Sequence, residues 1–178
     1  SSDVCSSDLP PAADPANRHL WRMNRRRMDA EGLRDAILSV SGLLKTSMGG
    51  PGVHVPLEPE VRELIFTEAE VVDLWPVERD MFEHGRRSIY VHRKRNVHYP
   101  MFDAFDAPDA QTPCPQRSVS THAPQALVLL NSQFAQKAAT VFASRLARWP
   151  DPDDGITEAF LHCYARRPSP DELAFRSE

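Results

Sequence analysis

Three aspartates recur at intervals of three residues in the segment FDAFDAPDA. Asp103, Asp106 and Asp109 would offer carboxylate oxygens, the hard ligands that calcium prefers in proteins. The spacing is not that of an EF-hand loop, because neither the central glycine nor the closing glutamate of that loop is in place. Aspartates in such a segment also cap turns and pair with arginines. The three residues are therefore a candidate metal site, and we favour the alternative that they cap turns.

A second candidate set contains a hydroxyl, an imidazole and a carboxylate: Ser120, His122 and Asp109. A hydrolase acting on polysaccharides or esters needs a nucleophile, a base and an orienting carboxylate in contact. The sequence contains no GxSxG nucleophile elbow. Ser120 or Thr121 would equally serve as the N-cap of a helix. We therefore favour a helix cap over a catalytic site.

Basic residues concentrate in the middle of the chain. Residues 86–95, RRSIYVHRKR, carry five bases and no acid, whereas residues 58–83 carry nine acids and two bases. An arginine presents a rigid fork that pairs carboxylates or other anions bidentately. The arginines could bind an acidic glycan or another polyanion, or they could neutralise the acidic segment, which we favour. The candidate binding residues are Arg86, Arg87, Arg93, Arg95 and Arg117.

Composition limits the classes of protein that this chain can represent. It has 178 residues, a net charge of -4 and a pI of about 6.0, so bulk charge does not suggest nucleic-acid binding. No apolar run reaches the roughly 20 residues of a membrane span. Cys5, Cys114 and Cys163 show no CxxC or CxxCH spacing, which argues against a zinc site or haem c in this chain. Cys114 and Cys163 would form a disulfide or remain as free buried thiols.

Helix signals dominate the pattern of elements. Apolar residues at helical spacing follow the candidate cap Asp29 and end near Gly42, which predicts a helix over 29–42. A second stripe, which includes Leu130, predicts a helix over 121–147. Asn131–Ser132 could divide it into two helices, with Asn131 as the N-cap of the second. A third helix is predicted over 154–166, and a short one is indicated near Val61.

Extended and terminal elements complete the predicted fold. Alternation in SIYVH predicts a strand within 86–93, and a short strand is possible at 53–55. Ser169-Pro170-Asp171-Glu172 has the form of a capping box at the start of a last helix. We therefore predict a mainly α, irregular domain with one or two short strands and long Pro-rich loops. The helices over 29–42, 121–147 and 154–166 would pack their apolar stripes together, which makes Leu130 a core residue.

The first 13 residues stand apart from this pattern. SSDVCSSDL nearly repeats itself within nine residues and has no apolar periodicity. We expect residues 1–13 to be disordered or to be an artefact resembling sequencing-adapter sequence. Residues 14–178 would then form one domain, truncated at both ends, because the last predicted helix begins so close to Glu178.

Four stretches, in collinear order, are similar to the planctomycetal PSD domain, a C-terminal domain of unknown function. They are DPANRHLWRMNRRRMDAEGLRDAILSVSG at 14–42, MGGPGV at 48–53, the block from RRSIYVHRKR to QALVLLN at 86–131, and AFLHCYARRPSPDELA at 159–174. The resemblance implies a larger exported protein, periplasmic or on the cell surface, with cytochrome-c-like domains upstream. Haem c would belong to those upstream domains, which would also be the partners of this chain. The resemblance brings no reaction, so a non-catalytic structural or interaction domain is the leading expectation.

Overall fold

The fold is mainly α, as predicted. The computed structural model describes residues 14–18, 20, 23–24, 26–65, 75–95 and 97–174. Short 3-10 turns occupy Glu83–Gly85 and Ser88–Tyr90. The helices of the described residues are α1 Ala30–Ser41, α2 Pro59–Ile65, α3 Pro100–Ala104, α4 Ala123–Asn131, α5 Gln133–Leu146, α6 Pro152–Tyr164 and α7 Pro170–Ala174. The segment 1–13 lies outside the described residues.

Helix α1 confirms the predicted boundaries at both ends. The Asp29 carboxylate accepts a hydrogen bond from the backbone N–H of Gly32 at 2.9 Å, which satisfies a donor that the first turn leaves free. Gly42 ends the helix at φ +82°, and its N–H donates to Ser39 O at 3.1 Å. Glycine adopts this left-handed conformation without a steric cost, which explains why the helix ends there.

The helix predicted over 121–147 is divided at Ser132. Ser132 has ψ 141°, and its hydroxyl accepts from Ala135 N at 3.2 Å, so Ser132 caps α5 in place of Asn131. The N-cap of α4 is His122, without a side-chain capping bond. The predicted cap at Ser120 or Thr121 is therefore wrong. Ser120 lies two residues before this cap, and its backbone N–H and its hydroxyl both donate to the Asp106 carboxylate.

The strand predicted within 86–93 is absent from the described residues. Ser88–Tyr90 forms a 3-10 turn instead. The neighbouring backbone pairs with the backbone of other segments in isolated parallel bridges, Lys45 to Arg86 and Val53 to Val91. The cause is Asp35 of α1, whose Oδ1 accepts from both the N–H and the hydroxyl of Ser88 at 2.7 Å. These bonds fix Ser88 in a turn. The strand suggested at 53–55 is likewise reduced to the bridge at Val53.

The hydrophobic core lies between α1, α3 and the extended segment around residues 53–55. Much of it comes from residues 97–105, in a part of the chain that contains no long helix. Trp75 is also buried, and its indole N–H donates to Val55 O at 2.8 Å. The buried residues of the central cluster are Ala30, Val53, Val55, Val91, Tyr99, Met101, Phe102 and Phe105.

Helix packing agrees with the prediction for α1, α5 and α6 but not for α4. Helix α5 contacts α1, α4 and α6. However, Leu127 is 55% exposed and Leu130 is 71% exposed, so the expectation that Leu130 is a core residue is wrong. The backbone is extended at Ser132, so residues of α4 and α5 do not share one continuous helical spacing. As a result, Ala138 of α5 is buried while Leu130 of α4 is exposed.

Replacement of Gly85 by alanine is expected to destabilise the fold through a backbone clash. A Cβ at this buried position would overlap the carbonyl oxygen of Leu43, which cannot rotate away. We expect a loss of about 1–3 kcal/mol in the free energy of unfolding, the usual range for overpacking. Urea denaturation measures it. Gly52→Ala is the matched control, because its Cβ would lie 3.4 Å from Tyr90 O; equal losses in the two variants would contradict the expectation.

The predicted capping box at the start of α7 is present. The Ser169 N–H donates to Glu172 Oε2 at 2.8 Å, and the Glu172 N–H donates to Ser169 Oγ at 3.3 Å. Arg166 adds a bidentate pair to the same carboxylate at 2.7 and 2.8 Å. These hydrogen bonds, from Arg166 first and then from Ser169, lower the pKa of Glu172 to about 2.

Removal of Arg166 is expected to raise the pKa of Glu172. A carboxylate whose pKa is lowered by folding stabilises the fold above its unfolded pKa, and that contribution is lost as the pH falls towards the folded value of about 2. Carbon-13 NMR titration of the Glu172 carboxyl in Arg166→Ala should therefore give a higher midpoint than in the unaltered chain. Arg167→Ala is the adjacent control and should leave the midpoint in place. An unchanged midpoint in Arg166→Ala would show that the arginine does not set it.

Candidate functional site

Three of the candidate binding arginines are paired with carboxylates of α1. Arg87 Nε lies 3.6 Å from Asp35 Oδ2, and Arg93 Nη1 lies 3.6 Å from Glu31 Oε1. Arg117 Nη1 lies 2.6 Å from Glu31 Oε2. Sequence reasoning favoured neutralisation by the acidic segment 58–83, but the carboxylates that meet these three arginines come from α1. The pairs attach the segment 87–117 to that helix. Arg86 does meet the acidic segment, because its Nε lies 3.7 Å from Glu83 Oε2.

Arg86 fastens the glycine-rich loop MGGPGV. Its side chain is buried, and its guanidinium donates to the carbonyl oxygens of Pro51, at 2.7 Å, and Gly49. The guanidinium lies 3.8 Å from the centre of the Tyr90 ring, and the Tyr90 hydroxyl accepts from Gly49 N–H at 2.7 Å. Gly49 and Gly50 both have positive φ, a conformation that favours glycine. Arg95, the remaining candidate of this segment, is exposed, and its carbonyl accepts from Gln111 Nε2 at 2.9 Å.

The candidate catalytic residues have different partners from those expected. The Ser120 hydroxyl donates to Asp106 Oδ1 at 2.7 Å, and its N–H donates to Asp106 Oδ2 at 2.8 Å. These bonds lower the pKa of Asp106. Asp109 instead accepts from the N–H of Gln111 at 3.0 Å and caps its own turn. His122 is exposed at the N-cap of α4. The structure thus brings Ser120 to Asp106 and not to Asp109.

His98 lies between the other two candidate metal ligands. Its Nδ1 is 3.1 Å from Asp103 Oδ1, and its Nε2 is 3.9 Å from Asp109 Oδ1. Burial raises the pKa of Asp103, and the His98 hydrogen bond opposes that shift. Asp106 is turned away to Ser120. Among the described side chains, no group of three or more His, Cys, Asp and Glu residues is placed to hold a metal ion.

The two described cysteines correct a further expectation. Cys114 and Cys163 are free thiols, and both are exposed. Of the two alternatives left open by the sequence, the disulfide is therefore not formed. The alternative of free thiols is confirmed, although neither thiol is buried.

Sequence reasoning missed a buried arginine on α1. Arg34 is only 1% exposed. Its Nη1 donates to Arg86 O at 2.9 Å and to Ser88 Oγ at 3.2 Å, and its Nη2 donates to His84 O at 2.6 Å. The Nε atom is buried and has no hydrogen-bond partner among the described residues. Arg34 follows buried Ala30 and precedes buried Leu38, each by four residues. Its position on the same helix face as these two apolar residues was the sequence signal that could have indicated its burial.

Arg34 and Tyr99 share a cavity of about 190 Å³, which we call the Arg34 cavity. Both side chains are buried. Burial lowers the pKa of Arg34 and raises the pKa of Tyr99, so the tyrosine keeps its proton and can donate it. The full lining is Arg34, Val55, Pro56, Leu57, Glu58, His84, Tyr99, Gln133, Phe134 and Lys137.

A second, more apolar cavity adjoins the first. It has a volume of about 420 Å³, and we call it the outer cavity. His84, Phe134 and Lys137 line both cavities. The remaining lining of the outer cavity is Leu38, Gly42, Leu43, Leu44, Lys45, Met81, Phe82 and Gly85. Together the cavities form an apolar chamber with a polar end.

The fold and these sites define a mainly helical domain with long loops, in which arginines tie the loops to α1. The chain belongs to the PSD1 family, described as a protein of unknown function (DUF1553), whose family model matches residues 2–178. This match confirms the resemblance inferred from the four sequence stretches. No curated protein and no solved structure matches the chain. In the part of the chain that the structure describes, no helix is long and apolar enough to span a membrane.

Proposed function

We propose that this domain is a non-catalytic structural or interaction domain of a larger exported planctomycete protein, periplasmic or on the cell surface. Its partners would be the preceding domains of the same polypeptide, which would be cytochrome-c-like and would carry the haem c. Support for the polypeptide context comes from the family resemblance. Support for a structural role comes from the internal pairing of the arginines that could otherwise bind a ligand.

That pairing is the observation that carries the proposal. Arg87, Arg93 and Arg117 each face a carboxylate of α1 or its N-cap, and Arg86 is bonded to two backbone carbonyls. Each contact joins segments that are far apart in sequence. The arginines therefore maintain the arrangement of the loops, and a polyanion would have to displace the α1 carboxylates in order to reach three of them.

Helix α4 supplies an apolar surface for docking. Leu127 and Leu130 are three residues apart, so they lie on one face of the helix, and both are exposed. Leu127 also lines a cavity of about 440 Å³ together with Met101 and Val128. Exposed apolar patches of this kind mark protein interaction sites. We assign this α4 face to the contact with a preceding domain.

Chemical cross-linking of the natural full-length polypeptide tests this docking. We expect cross-links between lysines of this domain and a preceding domain, and their loss in Leu130→Asp. The matched control is Ile89→Asp, because Ile89 is also apolar and 79% exposed but lies in the 3-10 turn Ser88–Tyr90. If the cross-links are absent from the unaltered protein, or persist in Leu130→Asp, the docking proposal fails.

The two alternative functions, a polyanion-binding module and a hydrolase, have separate tests. A polyanion-binding module would retain the chain on a sulfated-glycan column, with retention lost in Arg87→Ala and Arg93→Ala. A hydrolase using His122 would show ester or polysaccharide cleavage that disappears in His122→Ala. We expect no specific retention and no cleavage, because the arginines are paired and Ser120 is bonded to Asp106.

A further inference from the structure

We propose that the Arg34 cavity and the outer cavity together bind an apolar molecule that carries one carboxylate. The carboxylate would lie between Arg34, Tyr99 and Lys137, and the apolar body would fill the outer cavity. This ligand site goes beyond the proposed interaction function and uses none of the residues of the α4 face.

The unpartnered Nε–H of Arg34 is the first reason. A polar group that is buried without a hydrogen bond is costly, and buried donors are rarely left without a partner. The other nitrogen atoms of this guanidinium are bonded to His84 O, Arg86 O and Ser88 Oγ. An acceptor oxygen placed in the cavity would satisfy the remaining donor.

The balance of charge around the cavity favours an anion over a neutral acceptor. Asp35 lies near both Arg34, at 3.9 Å, and Arg87, at 3.6 Å. Glu83 likewise pairs with both Lys45 and Arg86. Because each carboxylate is shared between two cations, the surroundings of Arg34 carry an excess of positive charge.

Two further cavity-lining residues bear on this balance. Lys137 lines both cavities and adds a cation at their junction. Glu58 is the carboxylate of the Arg34 cavity, and its Oε1 accepts from Gln133 N–H at 2.9 Å at the start of α5. This helix N-terminus carries a partial positive charge that offsets the carboxylate. An incoming anion therefore meets Lys137 and Arg34 as the dominant charges.

The outer cavity specifies the rest of the ligand. Its walls include Leu38, Leu43, Leu44, Met81 and Phe134, which cannot hydrogen-bond a hydrated inorganic ion. Ligand sites in proteins commonly have volumes of about 300–1,000 Å³ and are mostly apolar with a few placed polar groups. A linear aliphatic carboxylate matches both the apolar chamber and its cationic end.

Sodium decanoate is the probe that we would use, with decanol and sodium acetate as matched comparisons. NMR of the whole chain reports on the site directly, because the Arg34 Nε–H signal should shift when decanoate binds. We expect decanoate to bind at least about tenfold more tightly than decanol, as a charge-assisted hydrogen bond would give. Acetate should not bind measurably, because it lacks the apolar body.

Variants separate this site from unspecific binding to apolar surface. Lys137→Ala and Tyr99→Phe should each weaken decanoate binding about tenfold and leave decanol binding unchanged. Arg148→Ala, which removes an exposed arginine beyond the end of α5, should leave both unchanged. Equal affinity for decanoate and decanol, an Arg34 Nε–H signal that does not move, or full competition by acetate would each overturn the proposal. Since no preceding domain is involved, these outcomes are independent of the docking test.

Discussion

Arg34→Met is expected to lower the free energy of unfolding by about 3–5 kcal/mol, the range for breaking a buried, hydrogen-bonded charge pair. Methionine is apolar and unbranched, so it leaves the carbonyl oxygens of His84 and Arg86 without their donor. Asp35, which lies 3.9 Å from the Arg34 guanidinium, also loses a cation. Because these groups hold the turns of residues 83–90 on α1, the loss should unfold that region first.

Urea denaturation of two matched variants checks the size of this effect. Arg87→Met removes another arginine that faces Asp35, at 3.6 Å, but the Arg87 side chain is 56% exposed. Exposed ion pairs contribute about 0–1 kcal/mol, so we expect a small loss there. Arg34→Lys keeps the charge but not the planar fork, so its loss should fall between the other two. Equal losses for Arg34→Met and Arg87→Met would show that burial does not set the cost.

The sequence predicted those elements whose signals are local. Asp29 and Gly42 mark the ends of α1, and Ser169 and Glu172 mark the start of α7, because a cap and its partner lie within four residues of each other. Helix α6 was predicted from another local signal, apolar residues at helical spacing, and it begins at Pro152, two residues before the predicted start. Such signals do not depend on how the rest of the chain folds.

The errors arise where a distant residue takes over a local signal. Ser88 lies in an alternating pattern typical of a strand, but Asp35, 53 residues away in the sequence, bonds it into a turn. Ser120 is a residue type typical of an N-cap, but α4 begins two residues later, after His122, and Ser120 instead bonds to Asp106. No window of neighbouring residues contains the competing carboxylate, so pattern reasoning could not weigh it.

The candidate site shows the same division. The sequence singled out the arginines at 86–95 and favoured ion pairs within the chain over ligand binding. The structure shows such ion pairs for Arg87 and Arg93, but their partners are carboxylates of α1 and not of the acidic segment 58–83. The buried Arg34 was overlooked because a charged residue beside an apolar stripe is ordinarily taken to mark the edge of the helix face that is buried. Its neighbours come from distant parts of the chain, among them Phe134 of α5, whose ring centre lies 5.5 Å from the Arg34 guanidinium.

Phe102→Ala is expected to cost about 3–5 kcal/mol of unfolding free energy, as for other buried phenylalanines. Phe102 is 1% exposed, and its ring meets the Tyr99 ring edge to face, with 5.1 Å between their centres. The five-residue helix α3 has few hydrogen bonds of its own, so packing of this ring must hold it against α1. Loss of the ring would leave a cavity beside Tyr99 and Met101 that short α3 cannot fill.

Leu130→Ala is the matched control for this prediction, because it also removes a large apolar side chain from a helix. We expect Leu130→Ala to change the free energy of unfolding by no more than about 0.5 kcal/mol, the usual range for exposed positions. The helical stripe in the sequence instead predicts a core leucine, whose replacement would cost about 2–5 kcal/mol. Thermal and urea unfolding of the two variants compare the two places for the core directly. If Leu130→Ala lost more unfolding free energy than Phe102→Ala, the result would indicate that the core includes the apolar stripe of α4. The opposite order would place it in residues 97–105, where the chain has no long helix and the packing of Phe102 on α1 supplies the stability that a longer helix would otherwise provide.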